Sequence, residues 1–229
     1  MEDMKFRNEI KYICSEQQLR LIEQRIEKIC KKDAHVGESG TYTISSVYFD
    51  DYHNSCFLDN ESGVNLREKF RIRIYDGNMQ RIALECKMKQ NGKNHKESCL
   101  ITEERCRAIL EGRCELREDD PELFRKFYLQ YHTRMLRPKV IVQYERTPFI
   151  YQTGNVRITF DRYISGTENV LGFGQMGIPM RPIMPTDCHI LEVKYDELIP
   201  DYIKNALQLR DLKQTAFSKY YMCRKFNLK

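Results

Sequence analysis

The chain has no tryptophan, no Cys-x-x-Cys pair and no two histidines at metal-ligand spacing. Its nine cysteines are scattered and odd in number. That pattern argues against a disulfide framework and a structural zinc site, and predicts reduced thiols in a cytoplasmic protein. No stretch approaches the ~18 apolar residues of a membrane-spanning helix. The opening residues Met1-Glu2-Asp3-Met4-Lys5-Phe6 lack the apolar run of a secretory leader. Gly172-Phe173-Gly174 has neither the spacing nor the strand–helix context of a nucleotide-binding loop, and reads as a flexible turn. Regular βαβ alternation, a linker and a long-period repeat are all missing. Acidic residues are nearly as common as basic ones, 33 against 38, so the net charge of +5 does not by itself call for a nucleic acid.

What is present is strand after strand of alternating character. Residues 5–14 read as a strand, followed by Ser15 as an N-cap with Gln18 as its capping-box partner. Leu19, Ile22, Ile26 and Ile29 then recur at helical spacing. Thr41–Asp51 is rich in β-formers, and residues 52–65 suggest a loop or short helix. Strands are expected over 67–76 and 80–89, joined through Asp76-Gly77-Asn78. Gln90–Asn94 marks a further turn before a short strand at 95–101.

Thr102 caps a helix that closes near Gly112, and Pro121 opens another at its first position. The aromatic stripe within 123–131 on that second helix reads as core. Strands follow at 139–147, 155–164 and 190–195, with an irregular stretch at 165–188. Two short helices, 200–210 and 214–224, finish the chain. The order predicts an antiparallel α+β fold in a single domain, residues 1–229.

The strands carry charge on one face. Arg7/Glu9/Lys11, Lys69/Arg71/Arg73, Glu85/Lys87/Lys89, Arg157/Thr159/Asp161 and Glu192/Lys194 all lie at i, i+2 spacing, with apolar residues between them except at Asn8. For any one strand the simpler reading is an ordinary solvated face. Five such strands, together with helices whose apolar stripes need a surface to cover, favour another. Helices packed outside a closed sheet would leave the charged faces lining a lumen, and a closed barrel has no edge strands. So many cations repel one another unless an anion neutralises them. A phosphate chain fits, gripped by Arg forks, with carboxylates holding a divalent ion against it. Asp50-Asp51 reads as turn chemistry in preference to a metal site, and His189 is the one histidine placed beside a candidate carboxylate.

Arg7–Tyr12, Lys69–Arg73, Leu84–Lys87, Tyr144–Thr147, Val156–Asp161, Leu191–Lys194 and Phe217–Tyr220 occur in that order from about residue 5 to residue 224. In this the chain resembles the VTC domain, the polyphosphate polymerase module of the triphosphate tunnel metalloenzyme (CYTH-like) superfamily. The resemblance implies a closed, eight-stranded antiparallel β-barrel with helices outside and a lumen that binds ATP, triphosphate or polyphosphate. It implies phosphate-contacting roles for Lys11, Arg71, Arg73, Lys87, Arg146, Arg157, Ser218 and Lys219, and a metal, Mn2+ or Mg2+, at Glu192. Lys11, Arg71, Arg73, Lys87, Arg146 and Lys219 are carried as catalytic candidates. Lys69, Lys89, Arg157, Lys194 and Ser218 are carried as substrate-binding candidates, and Glu192, Glu9 and Glu85 as metal ligands. Glu9 and Glu85 are secondary candidates, for the metal or for orienting Lys11 and Lys87.

Two positions depart from the pattern. Arg7 stands where the superfamily has a first Glu, and Ala216 stands where catalytic eukaryotic members have Lys. The phosphoinositide-sensing and membrane segments of those members are not in this sequence, as expected of a stand-alone bacterial-type protein. The leading expectation is a metal-dependent polymerase that moves the ATP γ-phosphoryl group to a growing chain, with no protein nucleophile. A tunnel triphosphatase, a non-catalytic polyphosphate-binding module and, last, a basic RNA-binding surface remain as alternatives. The RNA reading ranks low because the aromatics do not interleave with the basic positions.

Overall fold

A computed structural model describes residues 6–34, 36–37, 39–208 and 212–225. Its strands are β1 (Asn8–Ser15), β2 (Lys31–Lys32), β3 (Tyr42–Asp50), β4 (Arg67–Tyr75), β5 (Ile82–Gln90), β6 (Lys93–Ile101), β7 (Arg137–Tyr151), β8 (Val156–Thr167), β9 (Arg181–Pro182) and β10 (Cys188–Tyr195). Its helices are α1 (Glu16–Ile26), α2 (Ser55–Glu61), α3 (Glu103–Leu110), α4 (Glu122–Thr133), α5 (Asp201–Leu207) and α6 (Lys219–Lys225). β1 with β10, β10 with β8, β2 with β7, β3 with β4, β4 with β5 and β5 with β6 all pair antiparallel, which bears out the α+β class. The chain forms two compact units, each assembled from three separated stretches, and β3, β7 and β8 each have ends in both.

In the first unit, β1, β10, β8 and β7 are neighbours in that order. Leu191 and Val193 of β10, with Ile158 and Phe160 of β8, bury one face of this sheet against Leu19, Ile22 and Ile26 of α1 and Ile203 and Leu207 of α5. The capping box read from the sequence is formed. The Ser15 hydroxyl accepts from the Gln18 amide at 3.3 Å, and the Gln18 side chain accepts from the Ser15 amide at 2.9 Å. Ser15→Ala is expected to cost about 1 kcal/mol, the usual loss of an N-cap, read as a shifted urea midpoint at unchanged slope.

In the second unit, β3, β4, β5 and β6 are neighbours in that order. Val47, Phe49, Phe70, Ile72, Ile74, Leu84, Cys86 and Met88 form its apolar face. Cys106, Ile109 and Leu110 of α3 and Leu123, Phe124, Phe127 and Tyr131 of α4 cover it, so the aromatic stripe is core as expected. The turn at Asp76-Gly77 is longer than the dipeptide suggests, because β5 begins only at Ile82. The two-residue hairpin is at Asn91-Gly92 instead, with both residues at positive φ (50° and 77°) and Gln90 paired to Lys93. Primed turns require that geometry, because it matches the strand twist. β6 accordingly begins at Lys93 and not at 95.

Closure of eight strands into a barrel is corrected by the strand neighbours. Each strand of a barrel needs one on both sides. β1 has β10 on one side, while its other edge is taken by an extended segment: Tyr12 bridges Gln214, and the Thr215 amide donates to the Lys11 carbonyl at 2.9 Å. β6 has β5 on one side and, among the described residues, no strand on the other. The bridge also explains why the last helix does not start at 214. Residues around Gln214 pair with a strand edge, and helix begins at Lys219. Of the helix expected over 200–210, residues 201–207 form α5, and 209–211 lie outside the described residues.

Candidate functional site

Alternation places Glu9 and Lys11 of β1, Glu192 and Lys194 of β10, and Arg157, Thr159 and Asp161 of β8 on the face of the first unit's sheet away from its helices. The register sets Glu9 opposite Lys194 and Lys11 opposite Glu192, so opposite charges meet across the strands. Lys11 Nζ lies 2.8 Å from Glu9 and 3.5 Å from Glu192, and donates to the Phe217 carbonyl at 2.9 Å. Lys194 Nζ lies 2.8 Å from Glu192 and 3.8 Å from Glu9. Burial would lower the Lys11 pKa, but Glu9 and Glu192 outweigh it and hold the ammonium charged well above its ordinary range. Arg146 of β7 forms a bidentate pair with buried Asp161, at 2.6 and 2.8 Å. Arg157 lies 2.8 Å from Asp33 and donates to the Tyr42 hydroxyl at 3.3 Å.

Among the described residues, two buried polar atoms of this face have no hydrogen-bond partner: Thr159 Oγ1, directly opposite Glu192, and Arg157 Nε. Two carboxylates that share the ammoniums of Lys11 and Lys194, beside the Thr159 hydroxyl, make an all-oxygen donor set. That suits Mg2+ or Mn2+ and not a thiolate-seeking ion. Among the described residues no group of three or more His, Cys, Asp or Glu could hold a metal. Glu192 and Glu9 are the residues that could hold such an ion in part, and its remaining positions would fall to a ligand. His189 does not belong here. Its odd position on β10 puts it on the helix side with Leu191 and Val193, where it lies 2.9 Å from Glu16.

The second unit carries a denser cationic face. Register aligns Tyr48 of β3, Arg71 of β4, Glu85 of β5 and Ser98 of β6 in one row, and Lys69, Lys87 and Lys96 in the next. Like charges directly opposite each other destabilise a sheet, so the lysine row points to function. Arg71 approaches Glu85 to 2.6 Å, Lys96 to 2.8 Å and Arg73 to 3.8 Å. Burial alone would raise the Glu85 pKa, but Arg71, Arg73 and Lys96 reverse that and hold it far below the carboxylate range. Both Glu85 oxygens are thus engaged by cations, which favours the orienting role over the metal role. The cations it orients are Arg71, Arg73 and Lys96. Lys89 follows Lys87 along β5, opposite Arg67.

Lys69 Nζ reaches the Ser218 hydroxyl at 3.3 Å, just ahead of α6, on which Lys219 is the first residue. Tyr220 of that helix donates to Asp50. Asp50 also accepts from the amides of Asp51 and Cys56, each at 2.9 Å, and of Phe57 at 3.1 Å. Asp50 is therefore a turn and helix-capping carboxylate. Lys96 and Tyr48 were absent from the sequence-based candidates. Lys96 could have been found: a two-residue turn at Asn91-Gly92 pairs 90 with 93 and, counting back, Lys87 with Lys96. Tyr48 carried no such signal, because the β3 register depends on a long connection.

The fold resembles solved structures of distant sequence. A crystal structure described as a putative adenylate cyclase from Bacillus halodurans matches with a TM-score of 0.50 and 13% identity, over 89% of this chain and 87% of that one. A protein of Pyrococcus horikoshii matches with a TM-score of 0.46 and 12% identity, over 97% and 99%. Comparison with curated proteins gave no match. The family model described as the VTC domain matches residues 6–227, nearly the whole chain. With strand faces, charges and motif order in agreement over that length, this chain belongs to the VTC domain family.

Proposed function

We propose that this protein is a metal-dependent polyphosphate polymerase that transfers the γ-phosphoryl group of ATP to the end of a polyphosphate chain. The observation that carries the reading is the row Lys69, Lys87 and Lys96 beside Arg71 and Arg73, with Glu85 as the carboxylate that orients Arg71, Arg73 and Lys96. Fixed cations at strand spacing suit an anion that repeats its charge along its length. Membership of the VTC domain family supports triphosphate chemistry.

In this reading a terminal oxygen of the growing chain attacks Pγ. The new O–P bond forms as the bond from Pγ to the bridging oxygen breaks, and ADP leaves with that electron pair. The protein supplies position and charge compensation, which is most of what phosphoryl transfer requires. Lys69, Lys87, Lys89, Arg71 and Arg73 hold phosphate oxygens, joined by Ser218 beside Lys69 and by Lys219 at the start of α6. Lys11, Lys194 and Arg157 do the same in the first unit, where Arg146 keeps Asp161 compensated and is also a candidate for the phosphate. A divalent ion at Glu192 and Glu9 would neutralise charge on the triphosphate.

A second reading rests on Ala216, which leaves no cation two residues before Ser218. In that reading the protein hydrolyses triphosphate or only binds polyphosphate.

Incubation with ATP and Mn2+ is expected to yield a ladder on a polyphosphate gel. Phosphate released from tripolyphosphate without chain growth would establish the hydrolase, and tight binding with neither reaction the binding module. Arg71→Ala is expected to weaken tripolyphosphate binding about ten- to hundredfold, the loss of one charge-assisted contact, with the far-ultraviolet spectrum unchanged. Unchanged affinity would remove Arg71 from the site.

A further inference from the structure

Tyr48 is 6% exposed and stands in the middle of the second unit's cations. Its phenol oxygen accepts from Arg71 Nη1 at 2.9 Å, and its ring lies 5.7 Å from that guanidinium and 5.4 Å from the Tyr220 ring. On β4 it meets the charges of Lys69, Arg71 and Arg73, with Glu85 of β5 behind Arg71. On its own strand, Ser46 and Asp50 share its face; Ser46 accepts from Arg73, and Asp50 accepts from Tyr220 of α6. Ammonium and guanidinium groups are donors only. They can feed the Tyr48 oxygen but cannot receive its proton. With Arg71 donating to the Tyr48 oxygen and Asp50 already accepting from Tyr220 and three amides, the Tyr48 proton is suited to an acceptor that arrives with the ligand.

We propose that Tyr48 is a phosphate-binding residue, its O–H donating to a phosphate oxygen held by Lys69 and Arg71. The inference rests on the anion-site reading above. It has a consequence for pH. The neutral phenol donates to phosphate, whereas the phenolate repels phosphate and competes for the same cations. Burial pushes the Tyr48 pKa up, but Arg71, Arg73 and Lys69 outweigh it and draw it down to about 8. Phosphate binding, which favours the neutral form, must in turn raise that value.

The test compares tripolyphosphate affinity in the wild type and Tyr48→Phe from neutral pH to about two units above it. Both proteins meet the same ligand, so its own titration cancels in the ratio of dissociation constants. The wild type is expected to bind about tenfold tighter at neutral pH, the worth of one hydrogen bond to a charged group. The advantage should vanish as pH rises through about 8. Independently of any variant, the ultraviolet phenolate signal of the wild type should show a one-tyrosine step near pH 8, and saturating tripolyphosphate should move that step upward. Parallel affinity profiles, or a step that the ligand leaves in place, overturn the assignment of Tyr48 alone. A wild type that binds no tripolyphosphate at any pH overturns the anion site itself and this inference with it.

Discussion

Glu85→Ala is expected to remove about 3–5 kcal/mol of folding stability, the loss that follows when one partner of a buried ionic network is deleted. The Glu85 side chain is 2% exposed, and two of its three partners, Arg71 and Arg73, are 12% and 7% exposed. Without the carboxylate these guanidiniums face each other and the lysine row in a poorly hydrated place. Lys96 is 47% exposed, so water screens it and its share of the loss is small.

The same coupling sets a pH dependence. The folded pKa of Glu85 lies below its unfolded value, so the unfolded chain takes up the proton first as pH falls. The contribution is complete above the unfolded value of about 4.3 and is lost progressively below it. Thermal melts at neutral pH check the first effect, and an acid series of wild type against Glu85→Gln checks the second. Tripolyphosphate should restore the melting temperature of Glu85→Ala by a larger margin than it raises that of the wild type, since the ligand supplies the missing negative charge. An Ala variant as stable as the wild type would mean that water already compensates the three cations.

Arg146→Met should be comparably damaging, again about 3–5 kcal/mol, because Asp161 is wholly buried and loses its bidentate guanidinium. Arg146→Met combined with Asp161→Leu removes both charges and should regain most of that loss, as an apolar replacement of a buried pair usually does. Denaturant titration of the two single variants and the double variant gives the coupling directly. A double variant no more stable than Arg146→Met would show that Asp161 owes its place to more than this pair. Tripolyphosphate affinity of the double variant then tests Arg146 as a phosphate ligand: a loss of tenfold or more supports that role, and retained affinity confines Arg146 to the sheet.

Several of these features are legible in the sequence. Period-2 alternation marked the charged faces of β1, β4, β5, β8 and β10, since side-chain direction in a strand depends only on parity. Local chemistry also marked the capping box at Ser15 and the apolar stripe of α4. The Asp76-Gly77 signal misled about loop length, while Asn91-Gly92 specified the tighter hairpin. Turn residues state which φ values are allowed, but the strand ends fix where pairing resumes. His189 looked promising by proximity in sequence to Glu192, and parity alone separates the two.

The sequence by itself determined which residues of each strand share a face, where the first helix is capped, and that cations crowd several of those faces. All of this follows from neighbours a few residues apart. Only the tertiary structure decided most of the charge partners, because they come from registers between strands: Lys11 with Glu192 on a strand far along the chain, Arg146 on Asp161, and Arg71 and Arg73 on Glu85 across turns whose length the sequence does not state. It also decided that the segment at Gln214 occupies the edge of β1. Long-range backbone pairing is chosen by the competition of whole segments for one edge, and no local pattern records its outcome.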